Sequence, residues 1–430
     1  MVTTEMIITL CILAFMVIML LTHKLPYGVT AMICCVLFVL TGVARLGEAF
    51  AGFSNSTTIL VATMIALAGA LGKTSLVARL RRFIASMEGK SGLALVLVLT
   101  VACIALSQLM GQIACMTLLM VFIQNFDEDS DINPGRMIFV MAVVNTIWTS
   151  KVPIGMGATM PGTLNAYYQG LVNEDPALLL GLGDYFKAGI LPALVGTIYC
   201  IFCYKLIPSP KIDRSQIHDV KDQEAIPMRD EILIFVAFGL VLVGFMLNSY
   251  LPSDVINVLP AVGILLLLVT KVLSVKEVTN SLCSDMVFMI AGMSVMSSVL
   301  AKTGVGELIG QTVLNILGGN PSALMVSIVF CVFTTIMTNF LSNMGTMALM
   351  CPIAASTALV GGMNVQACVL IVAVSAWFAV IMPTGCASAM MAFGVGNHNP
   401  FKTMKFTLPL VLLMMIALII GVNIFFPIYG

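Results

Sequence analysis

Five short signatures recur along this chain in one order and at nearly one interval, so the fold has to accommodate the same unit twice. Leu25-Pro26 returns as Leu259-Pro260, 234 residues on, and Glu48 returns as Glu277, 229 residues on. Lys73-Thr74 returns as Lys302-Thr303 at 229, Gln112 matches Asn343 at 231, and Pro153 with Gly155 matches Pro383 with Gly385 at 230. Each Lys-Thr pair ends an apolar stretch and opens an amphipathic one. A duplicated membrane unit whose copies each carry an interrupted helix is the architecture from which secondary transporters build a site at the bilayer midplane.

The hydrophobicity of the chain places that unit in lipid. Of 430 residues, 60% are hydrophobic and 9% charged, with a mean hydropathy of +1.08, far from the balance of a soluble domain. Apolar runs of about 17 to 20 residues, each enough to cross a hydrocarbon core of roughly 30 Å, begin near Met6, Tyr27, Ser56, Lys187, Glu231, Val255, Met286 and Met404. Regions 91–126 and 321–360 are too long for one span and carry polar residues at their centres, so both read as helical hairpins. Ile7 to Leu21 follows Thr3, Thr4 and Glu5 with no basic segment before it, the pattern of a first span and not of a cleaved signal. Formal net charge is zero and the basic residues are scattered, which leaves no footprint for nucleic acid. The twelve cysteines lie mostly in apolar stretches, Cys200-x-x-Cys203 included, where they serve as small hydrophobic filler.

Orientation follows from where Lys and Arg collect, because basic loops stay cytoplasmic. Segment 73–90 holds Lys73, Arg79, Arg81, Arg82 and Lys90, whereas its counterpart 302–320 holds Lys302 with Glu307. Placing the first inside and the second outside is what an inverted duplication requires. Both termini are then expected outside and the polar stretch 208–230 inside, joining a first repeat (1–207) to a second (231–430). The acidic loop Asp127, Glu128, Asp129, Asp131 falls inside too, which carboxylates tolerate under this rule. Each repeat is expected to hold three spans, an amphipathic surface helix, a re-entrant hairpin, a broken helix (136–170 and 364–396) and a final span. In the first surface helix Leu76, Leu80 and Phe83 share one side, with Arg79 and Arg82 near the other.

Within lipid, irregular backbone survives only where protein or a water-filled cavity satisfies its free N–H and C=O groups. Four breaks are therefore site candidates: the hairpin tips Ser107-Gln108-Leu109-Met110-Gly111-Gln112 and Thr338-Asn339-Phe340-Leu341-Ser342-Asn343, and the helix interruptions Pro153-Ile154-Gly155-Met156-Gly157 and Pro383-Thr384-Gly385-Cys386. At a tip, one arm ends in unsatisfied carbonyls that can hold a cation. The next arm opens with free N–H groups and the positive end of a helix dipole, which can hold an anion. Ser342 and Asn343 are short and polar at that junction; their plainer role is to cap the turn.

These segments resemble the divalent anion/sodium symporter family and its wider ion-transporter superfamily over nearly the whole chain. Glu48-Ala49-Phe50-Ala51-Gly52-Phe53-Ser54-Asn55 is similar to that family's entry to its third span. Lys73-Thr74-Ser75-Leu76 and Lys302-Thr303-Gly304-Val305 resemble its arm-helix starts, and Asp184-Tyr185-Phe186-Lys187-Ala188-Gly189 resembles the entry to the last span of its first repeat. Ser342-Asn343 matches two positions of the family's Ser-Asn-Thr hairpin signature, which touches substrate carboxylate and a sodium ion. The resemblance implies an all-α polytopic membrane protein of two inverted-topology repeats. It further implies an elevator-type transporter, a dimeric scaffold, a small anionic substrate and sodium as the co-ion.

Departures from the family pattern mark a divergent branch. Met344 stands where the signature has Thr, with Thr346 nearby, and the first hairpin reads Gly111-Gln112-Ile113. In place of the family's Thr-Pro-Pro-Asn, the first repeat offers Gly162-Thr163-Leu164-Asn165 and the second Thr384-Gly385-Cys386-Ala387-Ser388. Lys151 lies two residues before Pro153, where the second repeat has Ile381. A lysine near membrane depth costs roughly 2.5 to 3.5 kcal/mol on insertion scales and so faces a cavity or partner, unless it snorkels to a surface. Its ammonium is expected to replace the sodium ion of the first hairpin or to pair with the substrate. The candidate substrate contacts are thus Gln112, Lys151, Thr159, Ser342, Asn343, Thr384 and Ser388. Thr338, Asn343, Thr346 and Gly385 are the candidate cation ligands.

His23, His218 and His398 are expected in solvated loops without metal-ligand spacing, and Trp148 and Trp377 occupy corresponding packing positions before the two breaks. The leading reading is a secondary transporter of a small organic anion, a carboxylate, running by sodium symport or exchange. Oxyanion efflux and Na+/H+ antiport are the alternatives within the superfamily. Antiport calls for a membrane-depth carboxylate, and Asp285 at a span entry is the nearest one to the breaks. An intramembrane enzyme lacks any His-Glu-x-x-His or Gly-x-Ser-x-Gly motif here.

Overall fold

The computed structural model describes residues 3–22, 24–71, 73–75, 93–109, 111–124, 133–208, 210–212, 226–247 and 253–429. Among them the chain is helical, without a strand. The first half runs through α1 (Thr4–Thr22), α2 (Tyr27–Leu40), the one-turn α3 (Leu46–Ala49) and α4 (Ser56–Leu71). A hairpin of α5 (Leu93–Leu109) and α6 (Gln112–Ile123) follows, then a broken helix of α7 (Pro134–Trp148) and α8 (Met160–Tyr168), then α9 (Asp184–Cys203). The second half repeats the order: α10 (Met228–Met246), α11 (Ser253–Val269), α12 (Val275–Leu282), α13 (Asp285–Lys302) and α14 (Val305–Ile316). Its hairpin is α15 (Ala323–Thr338) and α16 (Asn343–Val360), its broken helix α17 (Val365–Ser375) and α18 (Ala387–Gly394), and its final helix α19 (Pro400–Phe425).

All eight apolar runs read from the sequence are helices, although α2 and α4 have only 14 and 16 residues. At 1.5 Å per residue, α2 reaches about 21 Å, short of a full crossing. The acidic loop, the surface helix expected within 73–90 and most of the 208–230 linker lie outside the described residues. The counterpart surface helix α14 buries Val305, Gly310 and Leu314 and exposes Leu308 and Ile316.

Two ion pairs reveal how the halves are related. Lys73, at the end of α4, pairs with Glu277 of α12, just before α13 begins. Lys302, at the end of α13, pairs with Glu48 of α3, just before α4, at 3.0 Å. These are one contact made twice with the roles exchanged. Because α4 and α13 are counterparts and each one's end meets the other's entrance, they run antiparallel, and the second half is inverted relative to the first. The exchange continues through the packing: α2 lies on α13 and α11 on α4, α6 lies on α18 and α8 on α16, and the last helices α9 and α19 lie on each other.

The broken helices occupy the centre. Every residue of α7 except Arg136 is buried, as is nearly all of α17, the property of a helix that is apolar on all sides and surrounded by protein. Arm α16 is long and apolar enough to span, yet 78% of its window is buried inside the protein, against 39% for the segment Asp184–Leu206. It is an internal arm, not a lipid-facing span. A separate apolar cluster joins α4, α10 and α11 through Val61, Met64, Leu67, Ile234, Val241 and Leu267.

Candidate functional site

Each hairpin tip is tied to the break of its own repeat by one amide side chain. Gln108 donates from Nε2 to the Trp148 carbonyl at 2.8 Å, and its Oε1 accepts from the Val152 N–H at 3.1 Å. Asn339 does the same in the second repeat, donating to Phe378 O at 3.4 Å and accepting from Ile381 and Met382 at 2.9 and 3.2 Å. Backbone groups freed by the interruptions thereby find partners that no regular helix would give them. Thr384, read as a substrate contact, spends its hydroxyl on this clasp, donating to Asn339 O at 2.7 Å.

The second tip carries an oxygen cage. One end of the Asn343 carboxamide lies 3.1 Å from Thr338 Oγ1, 3.2 Å from Ala376 O and 3.1 Å from Gly385 O. With its nitrogen turned inward, Asn343 donates to all three. With its oxygen turned inward, four oxygens from the hairpin and both sides of the break converge, a donor set that suits a small hard cation. Thr338, Asn343 and Gly385 are thus brought together as expected ligands, joined by the Ala376 carbonyl. Thr346 lies one turn further along α16, fully buried and with its hydroxyl unpaired. Ser342 caps α16, accepting from the Gly345 N–H at 3.0 Å.

The first tip is built differently. Ser107, where the second repeat has Thr338, donates to Ile104 O and accepts from Gln108. Asn145, fully buried on α7, donates both to the Gln112 carbonyl at 3.0 Å and to Ser388 Oγ at 2.9 Å. Gln112 Nε2 and Asn145 Oδ1 are buried and have no partner among the described residues. The consequence is geometric: Gly385 touches Asn343 and, three residues later, Ser388 is joined through Asn145 to Gln112. The N-termini of α6, α16 and α18 are therefore linked in one place, each presenting free N–H groups and the positive end of a dipole. Helix N-termini gathered in this way have the donors and the field that suit an anion.

Lys151 sits between the two residues that Gln108 clasps, with its side chain turned to α9. It is 2% exposed, and its ammonium donates to the Tyr185 hydroxyl at 3.1 Å, 4.5 Å from the centre of that ring. Gly189, one turn along α9, leaves the room: a Cβ there would come within 2.5 Å of Lys151 Cδ. Among the described residues no carboxylate pairs with it. Thr159 is buried at the end of the first break, where its carbonyl accepts from Thr163 Oγ1.

His398 corrects the sequence reading. It is buried, bonding Gly135 O at 2.8 Å and packing on Phe139, because the chain after α18 tucks beneath the first turn of α7. His23 and His218 lie outside the described residues. Trp148 donates to Thr197 Oγ1 at 2.7 Å, whereas the Trp377 indole N–H has no partner among the described residues. No cluster of His, Cys, Asp or Glu among the described residues could hold a transition metal. Gln108 and Asn339 were named within the tips but not among the candidate contacts, although they recur at the same 231-residue interval as Gln112 and Asn343, and Asn145 and the Ala376 carbonyl were not singled out.

The sequence model for the sodium:sulfate symporter transmembrane region matches residues 1–428. The chain belongs to the sodium:sulfate symporter family. An uncharacterized transporter of Haemophilus influenzae is 24% identical over 426 residues, which cover 95% of this transporter and 90% of that one. The chloroplastic dicarboxylate transporter 1 of Arabidopsis thaliana is 26% identical over 69% of this chain and 55% of its own length. Among solved structures, the YdaH transporter of Alcanivorax borkumensis superposes with a TM-score of 0.60 at 14% identity, over 91% of this symporter-family chain and 88% of YdaH. That likeness concerns the fold alone.

Proposed function

We propose that this transporter carries a small organic anion, a carboxylate, across the inner membrane together with sodium, by an elevator-type alternation of access. The observation that carries the reading is the junction of Asn343, Gly385, Ser388, Asn145 and Gln112, which gathers three helix N-termini beside an oxygen cage. A carboxylate bound there takes N–H groups and the Ser342 and Ser388 hydroxyls as donors. Sodium taken up by Thr338, Asn343, Ala376 and Gly385 adds positive charge at the same place. Neither ligand is strongly held without the other, which is the basis of coupled movement. The family match and the Arabidopsis dicarboxylate carrier support the substrate class.

Among the described residues the first tip forms no such cage, and Lys151 places an amino group beside the break instead. In this reading the lysine takes the place of a first sodium ion, acting through its field from the Tyr185 side and not by touching the substrate. The two hairpins and broken helices form the moving body. The remaining spans form a scaffold that pairs with a second copy, with both termini outside and the 208–230 linker inside. Uptake into proteoliposomes across mono-, di- and tricarboxylates and sulfate, with and without a sodium gradient, tests the proposal. If no member of that panel is accumulated or exchanged under either condition, the reading is wrong.

A further inference from the structure

The second hairpin tip is covered by a residue from outside the moving body. The Tyr27 hydroxyl, on the first residue of α2, shares a hydrogen bond with the Ser342 hydroxyl. Its ring sits over the N-terminus of α16, where a Cβ on Gly345 would lie 3.6 Å from Tyr27 Cε1 and Cζ and 3.1 Å from Ser342 Oγ. Tyr27 is held there from behind. The adjoining Gly28 N–H donates to Asp285 Oδ1 at 2.9 Å, which fixes the first turn of α2 to the first turn of α13.

We propose that Tyr27 is a scaffold-borne gate for the anion site, its phenol occupying in this state the place on Ser342 that a substrate carboxylate takes. Substrate entry replaces the Tyr27–Ser342 bond by a carboxylate–Ser342 bond, and movement of the hairpin away from α2 leaves Tyr27 behind. Tyr27 thus sets both the apparent affinity and the accessibility of the tip. The inference rests on Ser342 being a substrate contact.

The test is thiol labelling of Ser342→Cys in a transporter whose Cys11, Cys203 and Cys283 have been changed to Ser, the other cysteines being buried. With Tyr27→Ala added, modification by a water-soluble thiol reagent is expected to speed up about tenfold. Tyr27→Phe keeps the ring and removes only the hydroxyl, so in the unlabelled transporter it should lower the KM for substrate about fivefold, the worth of one neutral hydrogen bond, with little change in maximal rate. Equal labelling with and without Tyr27→Ala, together with an unchanged KM in Tyr27→Phe, would overturn the gate. Protection of the introduced thiol by substrate is read separately. Protection with no effect of Tyr27 removes the gate and keeps the site, whereas labelling indifferent to every transported anion removes the site itself.

Discussion

At the scale of single residues, the two tips differ in a way that assigns different work to each. Thr338 and Asn343 face two carbonyl oxygens, so removing the Thr338 hydroxyl with Thr338→Val should raise the sodium concentration for half-maximal uptake about tenfold or more, as expected for a lost contact to a charged group. Ser107, at the equivalent place, is bonded to its own helix and to Gln108, so Ser107→Ala should leave that concentration unchanged. A sodium titration of uptake distinguishes the two. Lys151 invites the opposite experiment. Lys151 has no carboxylate partner among the described residues, and replacing such a buried polar group by an apolar side chain removes its desolvation cost, so Lys151→Met should keep or raise the melting temperature while altering rate or sodium dependence. Should both transport quantities match the unmodified protein, Lys151 is a packing residue. Which face of the break the lysine takes was not legible in sequence. Its position beside Pro153 marked it as unusual, but only the gap at Gly189 on a distant helix decides that it turns toward Tyr185.

At the scale of elements, the sequence was most legible where a feature occurs twice. Hairpins, breaks and the four residues Glu48, Lys73, Glu277 and Lys302 all announce themselves as repeated letters at nearly one interval. What repetition could not tell was partnership: Glu48 and Glu277 were visible as anchors, yet nothing local says that each binds the lysine of the other half. His398 was misread for a related reason, since a polar segment after a short helix gives no sign that it will be covered. The pairing is tested by charge reversal. Glu48→Lys alone should lower thermal stability slightly, and Glu48→Lys with Lys302→Glu should restore it. The bond to Lys302, and then that to the Arg45 N–H, hold the Glu48 carboxyl below its usual range. Its contribution is thus present above the ordinary carboxylate pKa and is lost as pH falls through the lowered folded value. A deficit in Glu48→Gln should therefore shrink in acid, and one that does not would point to packing. The amide clasps carry more weight because they are buried. Asn339→Ala leaves the Ile381 and Met382 N–H groups unpaired, each costing about 1 to 3 kcal/mol, so a fall in melting temperature is expected, larger than for Gln108→Ala, which frees one.

At the scale of the whole molecule, the two-fold relation is also broken in how the broken helices dock, and in the proposed cycle that break describes a state. Helix α8 and the residues after it dock on α13 and on the segment just before α4: Gln169 donates to Ser294 Oγ at 2.7 Å, the Gly170 N–H donates to Ser297 Oγ at 3.3 Å, and Asn55 reaches Glu174 at 3.4 Å. Its counterpart α18 packs on α6 and α7 and, among the described residues, makes no comparable contact with α4. If the repeats exchange roles during transport, the docked and undocked members exchange too, and the surface of α4 around Ile65 and Ala68, at the 229-residue interval from Ser294 and Ser297, becomes the receiving face. The docked contact is short and specific enough to trap. Gln169→Cys with Ser294→Cys, joined by a short bifunctional thiol reagent, should hold this arrangement, abolish uptake and leave sodium-dependent binding of the transported anion intact. Reduction or omission of the reagent should restore uptake. Transport that proceeds at full rate with the link in place would mean that α8 and α13 travel together, and that the moving boundary runs elsewhere in the fold.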